Sequence, residues 1–273
     1  TMFRKGIDYA IENGISQIEV NLDLKEKELL LLTKIPLRRL LIRGVKSKVD
    51  ITFLNELTKL EYLSIEFNAY GDIDLVQLNN LETLNCEAAN LNLFNVDKSE
   101  KLKDLFVHNY KNKILPFWGN INIENVGFYN SIFSNIDSLI DCKSVKKFTM
   151  ERNPSINSIN GLIGSSNSLE KLSLIGCRNF KNYAILLQLK KIKDLYISNC
   201  GAMDNASYFA NLDSLKYGNI DIDILDGDVS ALMAKPIIFK NYKHFNNRNN
   251  LKIKIVTNEG NYLVRDKEVL YKL

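Results

Sequence analysis

Four cysteines among 273 residues, with no CxxC pair and no cysteine–histidine group at zinc-ligand spacing, are too few and too scattered for a disulfide framework or a structural zinc site. Proline is equally scarce, tryptophan occurs once, and the only histidines are His108 and His244. Pro-rich linkers are therefore excluded. The longest apolar run, Leu29-Leu30-Leu31-Leu32, is closed by Thr33 and Lys34, far short of the ~20 residues of a membrane-spanning helix. The segment Thr1–Asp8 has charges but neither an apolar core nor a small-residue cleavage site, and so does not read as a secretory signal. Thr1 reads as an addition ahead of a natural start at Met2, and the expected compartment is the cytoplasm. The phosphate-loop, nucleophile-elbow and zinc-protease motifs are all missing. No cofactor is expected, and no enzyme.

What the chain does have is apolar residues, 45% of the total, set out at a fixed period. Leu60-Glu-Tyr-Leu63-Ser-Ile65-Glu-Phe-Asn68 has the form L-x-x-L-x-L-x-x-N. Leu81, Leu84 and Cys86 repeat it, followed by Leu102, Leu105 and Val107, and by Ile123, Val126 and Phe128. Val145, Phe148, Met150 and Asn153 continue the series, with Leu169, Leu172, Leu174 and Cys177, then Ile192, Leu195, Ile197 and Cys200. The last regular copy is read as Leu212, Leu215, Tyr217 and Ile220. Leu37, Leu40 and Ile42 lie upstream with the weaker Ile15, Ile18 and Val20, and a degenerate copy is expected near Ile237 to Phe245. Over residues 15–245 the pattern resembles the leucine-rich-repeat family, in its short-repeat bacterial form.

That resemblance implies an α/β solenoid, a horseshoe with a parallel β-sheet on its concave face and short 3₁₀ or helical segments on its convex side. No repeat can bury its own apolar side, so residues 1–273 are expected to form one domain. Residues 1–36 read as a helical N-terminal cap with a degenerate first repeat. Within them Arg4–Asn13 is a helix stopped by Gly14, and Asp23–Lys34 a second helix ended by Ile35-Pro36. Residues 37–245 hold the repeats. Asp72–Leu78 and Asn92–Val96 read as convex turns. The alternation in Leu251–Val256, a turn at Asn258–Asn261 and a return through Tyr262–Arg265 make 246–273 a β-hairpin cap that blunts the open end.

The remaining chemistry is modest. Gly161-Leu-Ile-Gly164 lacks the lysine of a phosphate cradle. Cys86 takes an inward ladder position and Cys177 and Cys200 the consensus Asn/Cys site one repeat apart, and these read as inert thiols; Cys142 lies in a linker. The x positions of each repeat face outward on the strand side, where solenoids bind. One patch there gathers Tyr62, Glu66, Phe67, Glu87, Asp104, Phe106, His108, Tyr129 and Glu151, with Tyr196 further along. Reading the last repeat from Leu212 puts Ser214, Lys216 and Gly218 on the same face. Aromatic anchors among acids are the composition of a protein-binding surface, and His108 would make such binding sensitive to pH.

Charge is unevenly spread along the chain. Residues 51–130 carry 11 Asp/Glu against 6 Lys/Arg, a net of −5, whereas 231–273 carry 9 Lys/Arg against 3 Asp/Glu, a net of +6. An acidic wall steers a basic protein and repels nucleic acid. The basic tail has little aromatic interleaving beyond Tyr242, Phe245 and Tyr262. The expected function is a monomeric, non-catalytic scaffold that binds another protein through its concave face. The leading form is a bacterial immunity protein that neutralises a basic toxin domain, by analogy with repeat proteins of the ribonuclease-inhibitor type. The alternative is a secreted or translocated internalin-like effector that binds a host protein.

Overall fold

The computed structural model describes residues 2–239, except 117, 121, 229 and 234, together with three strands between 253 and 272. Helix α1 (Met2–Glu12) is followed by β1 (Gln17–Asn21), the one-turn helix α2 (Glu26–Leu29) and β2 (Arg39–Arg43). Then come β3 (Tyr62–Glu66), β4 (Gly71–Asp74), β5 (Thr83–Glu87), β6 (Leu91–Phe94), β7 (Asp104–His108) and β8 (Asn125–Tyr129). The series continues with β9 (Lys147–Glu151), β10 (Lys171–Ile175), β11 (Asp194–Ser198), β12 (Tyr217–Asp221), α3 (Ser230–Met233) and β13 (Ile237–Phe239). Eleven of these form one parallel sheet in the order β1-β2-β3-β5-β7-β8-β9-β10-β11-β12-β13.

Each strand is fixed by two local rules. Inward residues alternate with outward ones, so Leu40, Leu63, Leu84, Leu105, Val126, Phe148, Leu172 and Leu195 stack in register across the sheet, each buried. Such a side chain contributes about 1.5–3 kcal/mol on burial, an upper figure because the unfolded chain already hides part of it. A left-handed residue then bends the chain off the sheet directly after six of the strands: Gly44, Asn109, Asn130, Arg152, Gly176 and Asn199. Glycine and asparagine tolerate that conformation; Arg152 is the exception. One apolar core runs unbroken from Ile7 to Ile237, with Tyr110, Trp118, Phe128, Phe133 and Phe148 packed ring to ring under the irregular stretch after β7.

The return side is built mainly of 3₁₀ turns, including Thr52–Glu56, Asn160–Ser165, Tyr183–Leu187 and Ala206–Phe209. Their rise of about 2.0 Å per residue spans the core with fewer residues than an α-turn needs. The same economy shortens the helix expected over Asp23–Lys34, which is α2 followed by a 3₁₀ turn, Leu30–Lys34. Two turns expected on this side are instead extended. Strands β4 and β6 pair in parallel as a second, two-stranded sheet, tied by the Asn92–Asp72 and Asn95–Asp74 side-chain hydrogen bonds.

The last regular repeat differs from its expected register by three residues. Tyr217 pairs with Asp194, Asn219 with Tyr196 and Asp221 with Ser198, so these three face outward in place of Ser214, Lys216 and Gly218. Gly218 occupies the inward leucine slot. A Cβ there would lie 2.6 Å from Ile237 Cγ1, because β13 pairs with β12 and Ile237 fills the space from the next strand. The degenerate copy therefore exists over Ile237–Phe239; its continuation to Phe245, with Tyr242 and His244, lies outside the described residues. At the C-terminus β14 (Ile253–Thr257), β15 (Gly260–Arg265) and β16 (Glu268–Lys272) form an antiparallel sheet, a hairpin extended by a third strand.

Just ahead of the strands runs a column of charges. Arg38 pairs with Glu61, Lys103 with Glu82, Lys146 with Glu124 and Lys193 with Glu170, each across one repeat. The paired side chains are open to solvent, so water and salt screen each pair and its contribution to stability is small.

Candidate interaction face

Three outward residues per strand make the concave face, and the register sets their columns. One column reads Glu87, His108, Tyr129 and Glu151 over β5, β7, β8 and β9, aligned strand to strand, and Glu66 of β3, one residue beyond the Ile65–Cys86 pair, extends it. At roughly 4.8 Å per strand these five side chains span ~19 Å. The middle column holds Ser64, Asn85, Phe106, Gly127 and Thr149; the third holds Tyr62, Thr83, Asp104 and Asn125.

At the centre the His108 and Tyr129 rings stack, 4.5 Å between centroids and 12° apart in plane. Gly127 makes room for them. A Cβ there would come within 2.9 Å of Phe106 Cδ1, Tyr129 Cε2 and the Tyr129 hydroxyl, so Phe106 and Tyr129 close over the glycine and the three rings form one platform. Burial holds the His108 imidazolium below the usual histidine range, although Glu87, Glu66 and Glu151 favour the cation. Burial, with Glu151 adding to it, raises the Tyr129 phenol.

A directed hydrogen-bond chain orients the imidazole. The Ser64 hydroxyl donates to Glu66 Oε1 at 3.1 Å, and Asn85 Nδ2 donates to Ser64 Oγ at 3.0 Å. Asn85 Oδ1 is left to face His108 Nε2 at 3.0 Å, which fixes that nitrogen as a donor. The chain runs from β7 to β3 and ends on a carboxylate. Ser64, although outward-facing, is wholly buried beneath it. Sequence reasoning missed this chain; its signal was small polar residues at one column position in neighbouring repeats.

The other expected site residues divide into groups. Glu87 accepts from Asn109 Nδ2 at 2.6 Å. Asp104 is bracketed by Thr83, whose hydroxyl donates at 3.1 Å, and by Asn125, so its charge is spent on neighbours. Tyr62 lies on the face with the Arg39 guanidinium 3.6 Å from its ring centroid. Tyr196 is three strands beyond Tyr129, against Tyr217 at 5.3 Å and under Lys171 at 5.2 Å; it belongs to a second aromatic group. Phe67 is not on the face: it is buried, since the alternation that turns Leu63 and Ile65 inward continues through it.

The reactive-looking groups elsewhere are structural. Desolvation pushes the buried Cys86 thiol up to about 12. Hydrogen bonding to Cys200, with burial, raises Cys177. Cys142 accepts from the Asn120 N–H at 3.3 Å and donates to the Trp118 carbonyl at 3.6 Å. Gly161 and Gly164 serve packing: a Cβ on them would sit 1.9 Å from the Ile136 carbonyl oxygen and 2.0 Å from that of Ile140. Only glycine lets successive turns approach so closely. Among the described residues no helix is long and apolar enough to cross a membrane.

No protein-family model matches the chain, and no curated protein does. Solved structures do. An internalin (inlF) from Listeria monocytogenes is 15% identical with a TM-score of 0.50, the match covering 89% of each chain. An internalin C2 (inlC2) from the same organism is 19% identical with a TM-score of 0.51, over 65% of this chain and 76% of that one. At such identities the similarity is one of fold. By its repeat and by these neighbours, the chain has the leucine-rich-repeat solenoid fold.

Proposed function

We propose that the chain is a non-catalytic, monomeric protein-binding scaffold of the cytoplasm: an immunity protein that covers and neutralises a basic toxin domain with its concave face. Residues 1–36 and 246–273 act as caps on the repeats of 37–245, in one cooperative unit. The observation that carries the reading is the platform of Phe106, His108 and Tyr129 set among Glu66, Glu87 and Glu151 on a rigid parallel sheet. It offers desolvated aromatic area at its centre and negative charge around it, the combination that anchors and steers a basic protein. The test is co-expression with any basic toxin candidate encoded beside its gene. Wild type restores growth and co-purifies with the toxin, and the Tyr62→Ala/Phe106→Ala/Glu87→Lys variant does neither. Undiminished rescue by that variant overturns the assignment of the face.

One observation favours a second reading, an exported protein that binds a host protein: the two solved neighbours above are internalins. Cell fractionation separates the two. Recovery in the culture medium, without rescue from any neighbouring toxin, supports the exported form.

A further inference from the structure

The tyrosines of the concave face differ in one respect. Tyr62 has Arg39 over its ring, and Tyr196, leaning on Tyr217, has Lys171. Between them Tyr129 has no cation of this chain over it among the described residues; it stacks on His108 instead. The carboxylates repeat the asymmetry. Glu19, Glu61, Glu82, Glu124, Glu170 and Asp213 each hold a lysine or arginine of this chain. Glu66, Glu87 and Glu151 take part in none of the ion pairs of the described residues. In the column itself, Glu87 and Glu151 stand at the two ends of the His108–Tyr129 stack. The carboxylates ahead of the strands are thus matched by cations of this chain, whereas those flanking the aromatic centre are not.

We propose that this centre receives an arginine of the partner protein, its guanidinium lying against the His108–Tyr129 stack and donating to Glu87 or Glu151. The inference rests on the reading of this face as protein-binding. Arginine fits better than lysine for geometric reasons. A planar guanidinium stacks on parallel rings and forks onto a carboxylate, whereas an ammonium is a compact, strongly hydrated point charge. The same sheet already arranges arginine on tyrosine at Arg39–Tyr62. His108 is suited to the role because burial disfavours its cationic form, so the ring presents a neutral face, and donation of Nε2–H to Asn85 holds that ring in place.

The experiment uses the full chain and two capped peptides, one alternating glycine with three arginines and one with three lysines. The His108 Cε1–H resonance is followed by NMR, with that of His244 as the internal control. The arginine peptide shifts His108 saturably and leaves His244 in place, and the lysine peptide binds at least about threefold more weakly. The Glu87→Gln/Glu151→Gln variant, checked for an unchanged thermal melt, loses the shift. Equal binding of the two peptides, or a shift that survives in the double variant, overturns the arginine site. The two readings fail separately. If the peptide result is negative while Phe106→Ala/Glu87→Lys still abolishes toxin neutralisation, the arginine falls and the binding face stands. If that variant neutralises like wild type, the face itself falls.

Discussion

Replacing Gly127 by alanine separates the binding platform from the fold. The new Cβ would sit 2.9 Å from Phe106 Cδ1 and from Tyr129 Cε2. Ordinary carbon contacts lie at about 3.5–4.0 Å, so the rings must retreat by about 0.6–1 Å. Both are half-buried side chains open to solvent on one side, and they can swing outward. The backbone at Gly127 is not left-handed, so alanine suits it, and leaving glycine in a strand recovers about 0.5–1 kcal/mol. Loss of the stacked pair costs a similar amount, about 0.5–1.5 kcal/mol. The two nearly cancel. Gly127→Ala should unfold in urea within about 1 kcal/mol of wild type, while the His108 and Tyr129 ring resonances move and partner binding weakens. A destabilisation beyond about 2 kcal/mol would show that the rings cannot give way. Unchanged ring resonances would show that they do not rest on the glycine. Either result refutes the reasoning.

Other perturbations should act on the fold or its pH dependence. Gly161→Ala drives a Cβ into the backbone carbonyl of Ile136, 1.9 Å away; with no flexible atom to yield, the urea midpoint should fall by the equivalent of about 3 kcal/mol or more. Asn153 is buried, accepts from the Ser155 and Ile156 N–H groups at 3.1 Å and donates to the Phe133 carbonyl at 3.2 Å. Asn153→Leu strands three backbone groups at about 1 kcal/mol each at least, and should cost about 3 kcal/mol or more in the same assay. Burial lowers the His108 pKa in the folded state, so protonation favours unfolding. That contribution is neutral above the unfolded-state value of about 6.5, and stability is lost as pH falls from there through the folded-state value. Between pH 7.5 and 5.5 wild type should lose more stability than His108→Gln, and equal losses would refute the assignment.

Much of the fold was legible because each inward slot repeats the same apolar requirement in every turn, so errors in one repeat are corrected by its neighbours. The reading slipped where one strand borrows from another. Gly218 looks like an outward residue, since nothing in its own repeat reveals that Ile237 fills its slot. Phe67 was readable from the alternation through Leu63 and Ile65, but its aromatic character outweighed its parity. The second sheet was visible as the in-out alternation of Gly71-Asp72-Ile73-Asp74, and was hidden by the expectation of turns on that side. The acidic and aromatic members of the face were legible by column. The platform was not, because Gly127 contributes by what it lacks, and the Ser64–Asn85–His108 chain depends on which atom of an amide points where.

The charge column ahead of the strands bears on how turns of the same pattern avoid miscounting. Leucine ladders cannot tell one neighbour from the next, so a turn docked with one repeat looped out would bury almost the same apolar surface. From Glu82 to Lys193 the column alternates in sign: Glu82, Lys103, Glu124, Lys146, Glu170, Lys193. Omitting one turn there brings glutamate to glutamate and lysine to lysine, exchanging a weak attraction for a repulsion of similar size. Pairs too weak to hold the solenoid together thus act as a parity check on its assembly, and the check is strongest at low salt, where surface charges feel one another furthest.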